Sequence, residues 1–305
     1  MCGAKDGQEM AVSKAFNKAL KAQTAERAMQ AISATAAFVS VLAVITICLF
    51  LFVYGGAAVA RIGLISFIAG DRWKPSLELF GILPMLAGSL CVTAGALLLG
   101  VPLGILTAVF MARYCPKCVC GFGESCLRLL AGIPSVVYGF FGLTVIVPVI
   151  REASGGTGTC ILAASIVLAI MILPTIASVS EAAIKAVPPV YFEGASALGA
   201  CKERCVFSVE LPAAQSGIMA AVVLGIGRAI GETMAVVMVA GNQAWMPRGV
   251  LKGARTLTTN IALEMGYAAG LHRGALIACA LVLFVFVLLI NLCLTLLTRH
   301  TEAQP

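Results

Sequence analysis

The sequence predicts an all-α, polytopic membrane bundle of six transmembrane helices, and three observations carry that expectation. Only 35 of the 305 residues are charged, 11%, where a soluble domain carries about 25%. Apolar residues make up 60% of the chain and the mean hydropathy is +1.02, more apolar surface than one soluble core can bury. The third is the spacing of the charges, since one charge at the bilayer centre costs about 2.5 to 3.5 kcal/mol. The intervals 28–60, 79–112, 129–150, 153–180 and 274–298 contain no Asp, Glu, Lys or Arg, and each exceeds the roughly 20 residues a helix needs to cross about 30 Å. A sixth stretch, 211–247, is interrupted only by Arg228 and Glu232.

Taken in order, residues 1–30 form an N-terminal segment in which Lys14, Lys18 and Lys21 lie near Phe16 and Leu20. It is either a helix resting on anionic lipid or a solvated tail. The membrane domain covers 31–298, and its first span, 32–60, has a basic leader and an Ala58-Val59-Ala60 sequence like a cleavage site. The apolar run is about twice too long for a secretory signal, and Asp6, Glu9 and Glu26 precede it, so it reads as an anchor. Cys2 lies ahead of any apolar run, unlike a lipoprotein site. Pro84 makes 79–85 an interfacial lead-in to a second span over 86–112. The others are 129–150, 160–180, 215–242 and 274–297, and 299–305 is a tail. Pro102, Pro134, Pro148 and Pro174 fall inside spans as kinks. Placing both termini in the cytoplasm puts 12 basic residues inside and eight outside, the expected sign. Outer cations suit solvated loops or an anion-gathering vestibule.

Between the fourth and fifth spans, 181–212 is the most polar interior segment. Pro188 and Pro189 suit a helix start, Gly199 a left-handed cap, and Leu211-Pro212 a stop, so two short helices joined at a glycine are expected outside the bilayer. Glu193-Gly194-Ala195, three residues, Gly199, nine residues, then Val209-Glu210-Leu211-Pro212 resembles the EAA loop of permease subunits in binding-protein-dependent ABC importers. Gly194 stands where Ala is usual and Val209 where Ile is usual. The resemblance implies a type I ABC importer permease fold in which this loop docks into a groove of an ATPase subunit and transmits its closure.

Further segments narrow the likeness to the phosphate-specific importer. Leu130-Ala131-Gly132-Ile133-Pro134-Ser135-Val136-Val137-Tyr138-Gly139 and Gly227-Arg228-Ala229-Ile230-Gly231-Glu232-Thr233-Met234-Ala235-Val236 are similar to that family's signatures, as are Phe80 to Pro84 and Thr256 to Gly270. The Met234-Ala235-Val236 continuation resembles the PstC type more than the PstA type. What the resemblance implies is a bacterial inner-membrane subunit importing inorganic phosphate. Its partners would be a homologous second permease, an ATPase subunit dimer and a periplasmic phosphate-binding protein.

Arg228 and Glu232 are the sharpest physical signal, two charges four residues apart on one expected helix face inside an apolar span. A buried guanidinium needs a carboxylate or phosphate, and its planar fork fits either. Glu232 is therefore expected to hold Arg228 when the pathway is empty and a passing oxyanion to compete for it. The bland alternative is a permanent ion pair pinning the bundle, with Gly227 and Gly231 as a close-packing face. Ser135, Tyr138 and Thr233 are candidate hydroxyl donors on the same pathway, though hydroxyls in spans more often bond their own helix.

Other signals are weaker. Cys115, Cys118, Cys120 and Cys126, with Cys201 and Cys205, lack the paired knuckles or His ligands of a metal site. Gly194 and Gly199 are not followed by the Lys and Ser or Thr of a phosphate loop, so ATP hydrolysis falls to another subunit. No cofactor, metal, nucleic-acid partner or catalytic constellation is expected. Import of another oxyanion, or secondary transport with Arg228 and Glu232 as an ion relay, remain the alternatives; the second would not need the Glu193 to Pro212 spacing.

Overall fold

The computed structural model describes residues 3–302; residues 1, 2 and 303–305 of the expected N-terminal segment and C-terminal tail lie outside the described residues. The chain divides into two units, 1–53 and 54–305. The first is one helix, α1 (Gly3–Phe50), continued by a π turn from Leu51. Residues 3–30, expected as a separate segment, carry on directly into the apolar run, because nothing in 26–50 breaks a helix: it holds neither Pro nor Gly. Phe38, Leu42, Ile45 and Leu49 are exposed along it, as lipid-facing side chains are.

The second unit holds the remaining helices. α2 (Gly56–Ile62) and α3 (Leu64–Ala69) lead into a short hairpin of β1 (Trp73–Lys74) and β2 (Leu79–Phe80), paired antiparallel with Trp73 opposite Phe80. α4 (Leu83–Val109) starts three residues before the expected Leu86, with Pro84 in its first turn, where a missing N–H costs nothing. A π turn, Phe110–Tyr114, ends it. The segment 113–128, expected as a loop, is mostly helix: α5 (Lys117–Gly132) buries Leu127 with Met111 and Ala177. α6 (Ser135–Phe141) and α7 (Val147–Ser154) follow, joined by the π turn Gly142–Ile146.

α8 (Ile161–Lys185) is the central helix. It runs parallel to α4 at close range: a Cβ on Gly100 would lie 2.9 Å from Ile172 and one on Gly104 2.8 Å from Ile176. Small residues permit such approach in a bilayer, where dispersion rather than water exclusion holds helices together. Pro174 sits inside α8 without ending it. Then come α9 (Pro189–Ala197), α10 (Lys202–Cys205), α11 (Leu211–Ala213), α12 (Gln215–Gly231), α13 (Met234–Val239), α14 (Leu257–Glu264) and α15 (Gly270–Glu302). The main core of this unit joins α4, α6, α8, α12 and α13.

Among the described residues, five helices are long and apolar enough to span a bilayer. A sixth is formed if the run Lys202–Ala213 and α12, bent by 70°, make one crossing.

Candidate functional site

Two helix breaks bring the expected pathway residues together. α5 ends at Gly132, Ile133 and Pro134 are extended (ψ 128° and 142°), and α6 restarts at Ser135. Proline disfavours a helical conformation in the residue before it, which turns the expected kink into a full break. α12 ends at Gly231, Glu232 is extended (φ −69°, ψ 131°), and α13 restarts at Met234. No proline marks this second break. Side chains supply the bonds the backbone loses there: Glu232 Oε1 accepts from Ala235 N at 3.0 Å, capping α13, and Thr258 Oγ1 of α14 donates to the Glu232 carbonyl at 3.0 Å. The restarted helices meet, since a Cβ on Gly139 would stand 2.8 Å from Ala235 Cα.

Arg228 lies half-buried in the last turn of α12, where helix-end carbonyls favour a cation. Its Nη1 donates to Thr175 Oγ1 of α8 at 3.1 Å. The expected pairing with Glu232 is not formed: the extended backbone at Glu232 removes it from the helix face of Arg228, and its carboxylate is spent on the α13 cap. Among the described residues, no carboxylate lies within 4 Å of Arg228. The alternative of a permanent ion pair beside a glycine seam fails with it, because a Cβ on Gly227 or Gly231 would meet nothing within 4 Å.

The hydroxyl candidates divide. Tyr138 is buried and donates to Leu130 O at 2.7 Å, bridging the first break. Thr233 Oγ1 donates to Gly231 O at 3.3 Å across the second. Ser135 is the half-buried first residue of α6. So Arg228, Glu232 and Thr233 gather at one break, and Ser135 and Tyr138 at the other.

Behind the second break lies a buried polar cluster built on Arg255, one of the eight basic residues that the sequence places outside. Arg255 Nη1 donates to Glu264 Oε1 (2.7 Å) and Asn260 Oδ1 (3.0 Å), while Trp73 Nε1 donates to Glu264 Oε2 (2.8 Å) and His272 Nε2 stands 2.9 Å from the same oxygen. These bonds fix α14, whose Thr258 holds the Glu232 carbonyl. The legible signal is the cap: Thr256 and Thr259 form a reciprocal capping box at a helix start.

The 181–212 segment folds as the expected helical hairpin. Pro188 precedes α9 and Pro189 begins it; Glu193 and Gly194 are exposed on it, Ala195 half-buried. Gly199 takes φ +84°, open only to residues without a Cβ penalty. Leu198 at the tip is 91% exposed, with Val190 and Tyr191 also open. The second helix stops one residue beyond Pro212. It ends at Ala213, the chain turns at Ala214, and α12 sets off at 70° to it; Pro212 itself occupies an early position in α11, where its ring is tolerated. Half-buried Leu211 packs inward with Ala214 and Val206. Arg113 Nη2 pairs with buried Glu210 Oε1 at 2.6 Å and donates to Ile184 O at 3.2 Å, tying hairpin to bundle.

Among the described residues, no three His, Cys, Asp or Glu side chains converge as a metal site. Partial burial, then a hydrogen bond with Cys120, raises the Cys115 pKa.

Apolar helices long enough to cross a bilayer, two helix breaks beside a guanidinium without a carboxylate partner, and a helical hairpin tied to the bundle by Arg113 suit a membrane transport permease. The chain belongs to the family described as binding-protein-dependent transport system inner membrane component, whose model matches residues 100–303. It is 42% identical to the probable ABC transporter permease protein YqgH of Bacillus subtilis over 84% of this chain and 86% of that one. It is 35% identical to the phosphate transport system permease protein PstC of Mesorhizobium japonicum over 74% and 75%. In fold it is similar to the inward-facing MetNI methionine ABC transporter (TM-score 0.56, 22% identity, 75% and 99% covered). It is also similar to a bacterial ABC transporter for import of alginate (TM-score 0.56, 16% identity, 79% and 89% covered). The fold is that of a type I ABC importer permease.

Proposed function

We propose that this chain is the membrane-spanning permease subunit of an ATP-driven importer of inorganic phosphate, forming half of the translocation pathway. The observation that carries it is Arg228, a half-buried cation at a broken span that holds a neutral Thr175 hydroxyl and no carboxylate. A guanidinium left with unused donors in a membrane is costly unless an anion visits it. Phosphate matches its fork in bidentate fashion. Similarity to several phosphate permeases of the PstC type supports that choice over another oxyanion.

Permeases of this family work with an ATPase and a substrate-binding protein. Here the partners are a homologous PstA-type permease, a PstB-type ATPase dimer and a periplasmic PstS-type phosphate-binding protein, with both termini cytoplasmic. The chain itself hydrolyses nothing. The α9–α10 hairpin, with Glu193, Gly194, Ala195 and Gly199, enters the ATPase groove, and Leu211 and Pro212 lead its motion into α12. Closure of the ATPases shifts α12 and opens or shuts the break at Glu232. Ser135, Tyr138 and Thr233 shape the pathway by holding both breaks open.

Uptake of phosphate by reconstituted vesicles, with and without ATP and binding protein, tests this reading. Arg228→Ala is expected to abolish uptake in an assembled complex, and Arg228→Lys to restore little, because a point charge lacks the fork. Normal uptake by Arg228→Ala would remove Arg228 from the pathway.

A further inference from the structure

A cleft of about 610 Å³ opens between the segment before β1 and the loop that joins α13 to α14. Arg72, Arg248 and Lys252 line it, against one carboxylate, Asp71; Gln243 and Trp245 complete its rim. Asp71 stands 3.9 Å from Arg72, both more than two-thirds exposed, so it offsets that cation weakly. Among the described residues, Arg248 and Lys252 have no carboxylate within 4 Å.

The walls are ordered rather than loose. The α13–α14 loop is closed at its base by Ala254 N to Ala240 O (2.9 Å) and Asn242 Nδ2 to Val237 O (2.7 Å). It is pinned to the start of α8 by Ile161 N to Lys252 O (3.1 Å) and Leu162 N to Val250 O (2.9 Å). The opposite wall is fixed by Gly81 N to Arg72 O (2.9 Å) and by the Trp73 bond to Glu264. Two of the three cations are thus carried on backbone already held in place, which lowers the ordering cost of binding. The loop begins one residue beyond α13, whose six residues rise about 9 Å from the break at Glu232.

We propose that this cleft is a loading site for a phosphate-type oxyanion, held by Arg248, Lys252 and Arg72 before it passes to Arg228. The proposal rests on the phosphate reading above and adds a second anion station to it. Three cations against one exposed carboxylate raise the local concentration of anions in the cleft. A lipid headgroup offers the same phosphate chemistry, and the site is assigned to the free ion.

Trp245 is a reporter on the rim, since the chain's other tryptophan, Trp73, is buried. Inorganic phosphate titrated into the assembled complex in lipid-free detergent is expected to change a fluorescence signal that Trp245→Phe abolishes. The pair Arg248→Gln and Lys252→Gln is expected to move the midpoint up about tenfold and raise the uptake KM by a similar factor, with a smaller fall in kcat. Arg248→Lys should keep most of the response. An unchanged KM overturns the proposal. So does a Trp245 response to phosphatidylglycerol micelles but not to inorganic phosphate, or a KM change with no phosphate signal, which would mark a docking face for the binding protein. If the unsubstituted complex imports no phosphate, the substrate reading fails separately; a Trp245 response to sulfate or molybdate would then uphold the loading site, and silence would overturn it.

Discussion

Arg228 and Glu232 stand four positions apart, and one extended residue gives them different partners. A continuous helix would place both on one face; the break turns Glu232 into the cap of α13 and leaves Arg228 with Thr175. Glu232→Gln keeps an acceptor for Ala235 N, so uptake and thermal stability are expected to stay near those of the unsubstituted chain. Glu232→Leu removes the cap and is expected to cost about 1 kcal/mol, read as a lowered midpoint of thermal unfolding in detergent. Were Glu232 the counter-ion of Arg228, neutral Gln would impair uptake as much as Leu. A charge pair in one apolar span was visible in the sequence. The geometry that separates it was not, because no proline or glycine at 232 announces the break.

At the scale of elements, the Arg113–Glu210 pair links the end of α4 to the hairpin's second arm. Glu210 is buried and Arg113 largely so. Removing one partner leaves a desolvated charge, so Glu210→Ala is expected to destabilise the purified protein by about 3 kcal/mol. Arg113→Met with Glu210→Leu should recover most of that loss, since an apolar pair of similar volume avoids both desolvation terms. Equal unfolding midpoints for Glu210→Ala and the unsubstituted chain would show that the pair holds nothing. Glu210 was legible only as part of a loop motif; its partner lies 97 residues away in sequence. The helical character of 117–132 was likewise hidden, because what seats this helix is contact with other elements, Leu127 against Met111 and Ala177 and Glu124 with Lys185 of α8.

At the scale of the whole molecule, the hairpin offers an apolar tip to whatever docks there. Leu198, 91% exposed, touches little of its own chain. Leu198→Asp is therefore expected to leave folding and membrane insertion intact while reducing co-purification of the ATPase subunits at least about tenfold, a charge at the core of an interface being strongly unfavourable. Retention of ATPase by this variant would place the docking surface elsewhere.

The sequence by itself determined that the chain lives in a bilayer, that it crosses about six times, and that 181–212 is a hairpin hinged at Gly199. Hydropathy, helix length and turn chemistry are local properties, and each can be read within a window of some twenty residues. Only the tertiary structure decided which charges meet. The Thr258 bond to the Glu232 carbonyl, the Thr175 bond to Arg228 and the Trp73 bond to Glu264 join residues 26, 53 and 191 positions apart. In a low-dielectric interior, partners like these decide where a helix can stop and where a charge can stay.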